Sequence, residues 1–323
     1  MSNNKVYTAV SIHSFRNVTR DITFDLYLKI SDDNYAHVFS RTTGLDYKRL
    51  ASYSGKGVTE LFIRAEDKGL YDIFISRTAE SIFADASTSQ EKKIATLLNM
   101  TEQNMAEIFS QFDLGQETVD SSQKVIHNYV TLMTQEPKTL ATILRLVSHG
   151  EYLYYHSIAV GIFSIILAKA TGQFDQKTIE MVGLGGFFHD IGNSHLPREV
   201  YEKEQGLLVE QLDLKKTHCK LGLQMLENTP NVPDEVRWIV YQHHEEPGGR
   251  GYPNQLTASA IYYPAKIVGL VDEFSCLISQ RPGRSALTAD KAIEFLRSRP
   301  DQFDADLVKL LGSVFLRAMS QAA

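Results

Sequence analysis

Gly186-Phe187-Phe188-His189-Asp190-Ile191-Gly192 closes a stretch of helical periodicity that runs from Gln176 to Asp190. The stretch ends on an imidazole and a carboxylate side by side. Residues of the same chemistry recur on either side of it: His156 upstream, then His218, the pair His243-His244, and Asp272 downstream. These seven include five of the chain's ten histidines. Each sits on, or at the end of, a predicted helix. Thr139 to Thr171 reads as one long segment broken near Gly150, and Leu208 to Asn228 as a helix with His218 inside it. Asp234 to His244 begins just after Pro233 and is expected to be capped by Asp234. Ala265 to Ser279 carries Asp272, and a last helix covers about Asp304 to Ser320. From Lys138 onward the pattern is almost all helix, which predicts a bundle whose helices present these side chains rigidly.

Neutral imidazole and carboxylate are the ligands a divalent first-row metal takes in a hydrolytic site. Seven of them exceed the four of a closed structural zinc site. They suffice for two metals with positions left for water and substrate, which points to metal-assisted hydrolysis. A lone histidine on an apolar helix is more often a hydrogen-bonded core residue. The two adjacent pairs strengthen the metal reading. Adjacent helical residues point about 100° apart, so each pair would serve different metals or sit at a frayed end. A shared carboxylate such as Asp190 can bridge two metals, the arrangement used for phosphoester cleavage.

With 323 residues the chain has room for about two domains. Hydrophobic and charged fractions of 43% and 22% are ordinary for a globular protein. A net charge of −6 argues against a general DNA or RNA binder. Cys219 and Cys276 form no C-x-x-C pair and imply no disulfide framework. Cys219 follows His218 and reads as a small half-buried helical residue. The strongest apolar run, Ile158 to Ala170, is too short to span a bilayer and contains Ser164 and Lys169, so a buried core helix is expected. The residues after Met1 have no secretory pattern, and a cytoplasmic protein without a membrane span is expected.

Residues 1–85 read as a small β-rich domain. Thr23 to Ile30 alternates apolar and polar residues, Asp32-Asp33-Asn34 signals a turn, and Tyr35 to Phe39, Leu61 to Ile63 and Tyr71 to Ile75 are further strand candidates. Leu45 to Leu50 suggests a short helix before the turn at Gly55-Lys56-Gly57. Small polar residues from Asp85 to Gln90 mark the boundary. Residues 86–136 follow as a connector of two helices, Glu91 to Phe112 and Glu117 to Thr134, ended by Pro137. They could equally serve dimerisation or extend the helical domain, which occupies residues 137–323.

Six motifs in order resemble the HD-GYP family, cyclic-di-GMP phosphodiesterases of the HD hydrolase superfamily. They are His156-Ser157, the Gly186 to Gly192 segment, Lys216-Thr217-His218 with Gly222, His243-His244-Glu245 with Gly251-Tyr252-Pro253, Val271-Asp272-Glu273-Phe274, and Arg281-Pro282-Gly283-Arg284. The match covers about residues 150 to 310. It implies an α+β chain: the small β-rich domain, then an all-α HD-type helical bundle carrying a metal site. It implies metal ligation by His156, His189, Asp190, His218, His243, His244 and Asp272, with Asp190 the bridging and catalytic carboxylate. The metals would be iron or manganese, and a hydroxide between them would attack phosphorus. Asn193, Tyr252, Arg281 and Arg284 would contact cyclic-di-GMP, the arginines through their planar fork of donors. On the residues alone, Arg281 and Arg284 also suit a solvated turn around Pro282-Gly283. Signalling proteins of the GGDEF type or others would dock on the Gly-Tyr-Pro loop or the N-terminal domain, and a homodimer is compatible with the connector helices.

Several positions depart from the family pattern. The lysine of H-D-I-G-K is Asn193, E-R-W-D-G-S-G-Y-P becomes Glu245 to Pro253, K-P-G is Lys203-Glu204-Gln205, and the second Asp of D-x-x-D-A-L is Ser275. Some members carry a Glu four residues before the first histidine, supporting a third metal. Tyr152 stands there, so two metals are expected. His149 reads as structural. The glycines at 248 and 249 suggest a mobile lid. The cage is complete while the substrate wall is altered. The implied activity is hydrolysis of cyclic-di-GMP to linear pGpG, with the further step to GMP left open. The alternative is a catalytically weak member that acts as a cyclic-di-GMP sensor or interaction module.

Overall fold

A four-stranded sheet is built from β1 (Tyr7–Ser11), β2 (Leu26–Ser31), β3 (Asn34–Phe39) and β4 (Glu60–Arg64), with strict alternation of burial only in β4. The order is β1-β4-β2-β3 and every neighbouring pair is antiparallel. Val10, Leu26, Leu61 and Ile63 turn inward and pack with Leu50 of α1 (Tyr47–Gly55) and with Tyr71 and Phe74 of α2 (Lys68–Ala84). Asp46 starts α1 by accepting from the backbone N–H groups of Lys48 and Arg49. On the sheet's other face, Tyr7 stacks on Tyr35 with ring centres 4.0 Å apart. The computed structural model describes residues 6–15, 21–32, 34–111, 114–135, 152–201, 206–280 and 284–322. Two compact units result, Met1–Gln103 and Asn104–Ala323, and their division falls within α3 (Gln90–Gln111). The polar stretch after Asp85 forms a turn. The Asp85 carboxylate accepts from Ser87 and Thr88, and these hydrogen bonds hold its pKa down to about 2.

The second unit is helical. It contains α4 (Gln116–Gln135), α5 (Tyr152–Thr171), α6 (Gln176–Phe188), α7 (Arg198–Tyr201), α8 (Val209–Lys216), α9 (His218–Glu227), α10 (Asp234–Gln242), α11 (Tyr263–Ile278), α12 (Ala289–Arg297) and α13 (Ala305–Ala322). α5 is the central helix: Ile158, Val160, Ile162, Phe163, Ile165 and Leu167 are all buried. It packs on α6, α11 and α13. Phe163, Phe274 and Phe315 lock α5, α11 and α13 together through edge-on and tilted ring contacts. α10 packs on α6, α9 and α11, so the ligand-bearing helices surround one volume. No helix among the described residues is long and apolar enough to cross a membrane.

Four expectations need correction. Tyr71 to Ile75 is not a strand but part of α2. Tyr71, Phe74 and Thr78 are buried while Leu70 and Ile73 are exposed, a spacing of three and four that a short apolar run conceals. The helix expected from Leu208 to Asn228 is two helices that meet at Thr217. α6 stops at Phe188, and Ile191–His195 turns as a 3₁₀ helix. Pro233, not Asp234, is the N-cap of α10, and Asp234 instead pairs with Arg237 at 2.7 Å. α12 is an additional helix that the sequence pattern had not singled out. The parts of the readings on residues 139–151, His149, Lys203-Glu204-Gln205 and Arg281 lie outside the described residues.

The α2 assignment predicts that Ile73→Pro, in a helix interior, destabilises the N-terminal unit by about 3 kcal/mol. Ile73→Thr on the same exposed position should cost well under 1 kcal/mol. Urea unfolding midpoints of the two variants would check this; equal midpoints would contradict the helix.

Candidate metal centre

Three of the candidate ligands share one local device. His189 follows the last turn of α6, His218 the last turn of α8, and His243 the last turn of α10. In each, Nδ1 lies within hydrogen-bond reach of the carbonyl three residues back: Gly186 at 2.8 Å, Lys215 at 2.7 Å and Val240 at 2.8 Å. A carbonyl only accepts, so Nδ1 carries the proton and donates. That leaves Nε2 as a lone pair aimed inward, the form a metal takes. The helix ends gain partners for carbonyls that have none within the helix.

The inward atoms converge. Asp190 directs Oδ1 to within 3.3 Å of His218 Nε2 and Oδ2 to within 3.5 Å of His189 Nε2. One carboxylate therefore faces two imidazoles with its two oxygens. On one side, the ligand atoms of Asp190, His218, His243 and His244 fall within 4.8 Å of one another; on the other, those of His156, His189 and Asp190 do the same. Asp272 Oδ1 joins the second group, 3.0 Å from His156 Nε2 and 3.7 Å from His189 Nε2. All seven ligands expected from the sequence meet in one cluster.

The cluster fits divalent metal. His189 Nε2 is fully buried and makes no hydrogen bond among the described residues, an arrangement that needs a partner. His218 Nε2 and His243 Nε2 face each other at 3.3 Å, lone pair to lone pair, which a cation between them would relieve. Protonation offers little relief. Burial and then the adjacent His244 push His243 well below its ordinary pKa, and burial and then His218 bring His244 to about 4. Burial works to raise both carboxylates, but the neighbouring imidazoles outweigh it. His189 and His218 draw Asp190 down, and the hydrogen bond from His156 draws Asp272 well down. The site thus presents neutral His243 and His244 and ionised Asp190 and Asp272 at neutral pH. Asp190 keeps 24% of its side chain exposed, against 0% for His189.

Two glycines let the backbone close on the cluster. A Cβ at Gly192 would stand 2.0 Å from the His218 carbonyl oxygen, and one at Gly269 would stand 2.2 Å from that of His243. The Gly-Tyr-Pro loop is held just as firmly. The buried Glu245 carboxylate accepts from the N–H groups of Asn254 and Leu256, Tyr252 N–H donates to His244 and Gly248 N–H to Asp301. Close packing accounts for Gly248 and Gly251, whose added Cβ would stand 2.9 Å from the Asp301 carbonyl oxygen and 2.3 Å from the Glu246 nitrogen, and a φ of +72° accounts for Gly249. Tyr252 stacks on His244 with ring centres 4.6 Å apart, which puts it on the wall of the site, and burial keeps its hydroxyl protonated.

The other expected substrate residues differ. Asn193 is buried on the 3₁₀ turn beside Asp190, and its Oδ1 makes no hydrogen bond among the described residues. Arg284 donates to the carbonyl oxygen of Cys276, at the end of α11. Three residues named in the sequence were not read there as parts of the site. Glu245 was visible only as part of a motif. Ser275 places Oγ 3.4 Å from His156 Nδ1, and Cys276 places Sγ 3.5 Å from Asp272 Oδ1. The spacing of four from Asp272 to Cys276 was the available signal.

Residues 165–307 match the family model described as HD domain. The chain is 27% identical over 217 residues to the cyclic di-GMP phosphodiesterase PA4108 of Pseudomonas aeruginosa, covering 67% of this chain and 52% of that protein. It is 26% identical over 187 residues to the cyclic di-GMP phosphodiesterase response regulator RpfG of Xanthomonas campestris pv. campestris, covering 56% and 48%. The chain thus spans about half the length of these curated relatives. Among solved structures, Bd1817, a HDG"Y"P protein from Bdellovibrio bacteriovorus, superposes with a TM-score of 0.74 at 20% identity over 96% of this chain and 100% of that one. That likeness establishes the fold.

Two outcomes follow from this geometry. Between pH 6.5 and about 4 the unfolded chain protonates His244 and the folded chain does not, so stability rises with pH across that window. Chelator-treated protein should lose about 2 kcal/mol from His244 between pH 7 and pH 5, or roughly 4–8 °C in melting temperature by calorimetry, and the fall should shrink in His244→Gln. Gly192→Ala should separate the 3₁₀ turn from His218 and lower metal affinity by about tenfold or more in a chelator competition; an unchanged affinity would show that the approach is not needed.

Proposed function

We propose that this chain, an HD-domain protein of the HD-GYP family, is a metal-dependent phosphodiesterase that opens cyclic di-GMP to linear pGpG and carries it on to GMP. The observation that carries the reading is Asp190, whose two oxygens face His218 and His189 at 3.3 and 3.5 Å. It would span two divalent cations, iron or manganese. His156, His189 and Asp272 would hold one, and His218, His243 and His244 the other. Bound cations of this kind supply Lewis-acid charge at phosphorus and a nucleophile at neutral pH.

The chain's own residues supply orientation. The three Nδ1-to-carbonyl bonds fix the imidazole planes, so the cage needs little rearrangement on binding. The Tyr252 ring, stacked on His244, shields one side from water and offers a flat surface to a base. Asn193 replaces a cation with a neutral amide beside Asp190, which weakens the hold on a phosphate without removing a hydrogen-bond donor. Arg281 and Arg284 are the candidates for meeting phosphate or guanine. Arg284 would have to share its donors with the Cys276 carbonyl it already serves.

Residues 1–85 would act in regulation or partner binding, residues 86–136 as connector, and residues 137–323 as the hydrolase. GGDEF-type or other signalling proteins, or a second copy of the chain, are the partners this reading allows, in the cytoplasm.

The test is cyclic di-GMP turnover by anaerobically prepared protein of known metal content, with Asp190→Ala beside it. Expected are about two metals per chain and a linear product. The variant should lose turnover by roughly 10²–10³-fold or more, the order seen when one element of transition-state charge stabilisation is removed. Metal without product, with nucleotide binding seen by calorimetry, would make the chain a receptor. Absence of metal would overturn the reading.

A further inference from the structure

Cys276 lies one turn beyond Asp272 on α11, so the two side chains share a face. Its Sγ is 3.5 Å from Asp272 Oδ1. The same oxygen is 3.0 Å from His156 Nε2 and 3.7 Å from His189 Nε2. The ligand atoms of His156, Asp272 and Cys276 all fall within 4.8 Å of one another. Atoms held about 2.0–2.3 Å from one ion lie about 3 Å apart at right angles and about 4.4 Å apart when opposed. The three can therefore share an ion with small side-chain adjustments.

This is more than a thiol near a carboxylate. His156 and Asp272 are over nine-tenths buried, at 7% and 8% exposure. The fully buried Nε2 of His189, without a hydrogen bond among the described residues, lies 3.7 Å from the same Asp272 oxygen. Ser275 Oγ, 3.4 Å from His156 Nδ1, can accept that nitrogen's proton once a cation takes the place of the proton that Nε2 shares with Asp272 Oδ1, and Nε2 then ligates. In the D-x-x-D-A-L pattern, Ser275 stands for the second Asp and Cys276 for the Ala. The sulfur is thus this chain's own addition to the cage.

We propose that Cys276 is an eighth ligand of the metal centre, its thiolate binding the cation held by His156 and Asp272. The inference rests on the metal-centre reading above. On binding, the S–H bond breaks, the proton leaves to solvent and a sulfur–metal bond forms; no oxidation is involved. A soft donor favours zinc or iron(II) at that position and disfavours magnesium.

Cobalt(II) is the probe, loaded into the chelator-treated full chain without oxygen and followed by absorption. A near-ultraviolet sulfur-to-cobalt charge-transfer band is expected in the wild type. It should persist in Cys219→Ala, whose Sγ lies 3.4 Å from His218 Nε2 on the other side of the cluster, and vanish in Cys276→Ala. Cys276→Ala should also bind one cobalt at least about tenfold more weakly in a chelator competition while keeping the other. Visible cobalt bands without the sulfur band would overturn the inference and leave the metal centre standing. A band lost with Cys219 instead of Cys276 would overturn it too. Failure of cobalt to bind at all would overturn both readings.

Discussion

A histidine has two ring nitrogens, and the hydrogen bond made by one decides what the other can do. Here that choice is made three times by the same contact, a ring N–H donating to a carbonyl at a helix end. Carbonyls at helix ends lack internal partners. The ring satisfies one of them and is locked in return, with its second nitrogen turned into the bundle. The rest of the site depends on this. Without it the imidazoles would be free to rotate, and Asp190 could not face two lone pairs at once.

The arrangement has a cost that explains its surroundings. Two carboxylates and several imidazoles share a volume with little water, and burial alone would favour their neutral forms. Mutual attraction keeps the carboxylates ionised while burial keeps His243 and His244 neutral. Opposed lone pairs at 3.3 Å remain, which is a natural position for a cation. The shell resists collapse because the backbone itself is packed against it. Gly192 and Gly269 let chain segments lie directly on the carbonyls of His218 and His243, and Glu245 straps the Tyr252 loop across the side.

Much of this was legible in the residue pattern. Period-two alternation from Thr23 to Ile30 marked β2, and period 3.6 marked α3 and α4, which bury one face each, whereas α6 is buried continuously from Val182 to Phe188. The pattern misled where the run was short. Five residues from Tyr71 to Ile75 fit either period, and only packing against the sheet showed that Tyr71, Phe74 and Thr78 form a stripe. The break at Thr217 was invisible for a related reason. Nothing in Lys216-Thr217-His218 forbids a continuous helix. The turn is imposed by the Lys215 carbonyl that His218 takes up and by Gly192 pressing on the His218 backbone.

By itself the sequence determined which side chains are candidate ligands, their order, and that helices carry them, since ligand chemistry belongs to residue type and helical carriage to local periodicity. Tertiary structure alone decided which of them lie close enough to hold one ion, which nitrogen faces inward, and that Asp190 lies between the two groups. It also brought Ser275 and Cys276 to His156, more than a hundred residues away, and tied Arg284 to a backbone carbonyl. Those decisions turn on distances between atoms far apart in the chain. Only the packing of α5, α6, α9, α10 and α11 around one volume sets them.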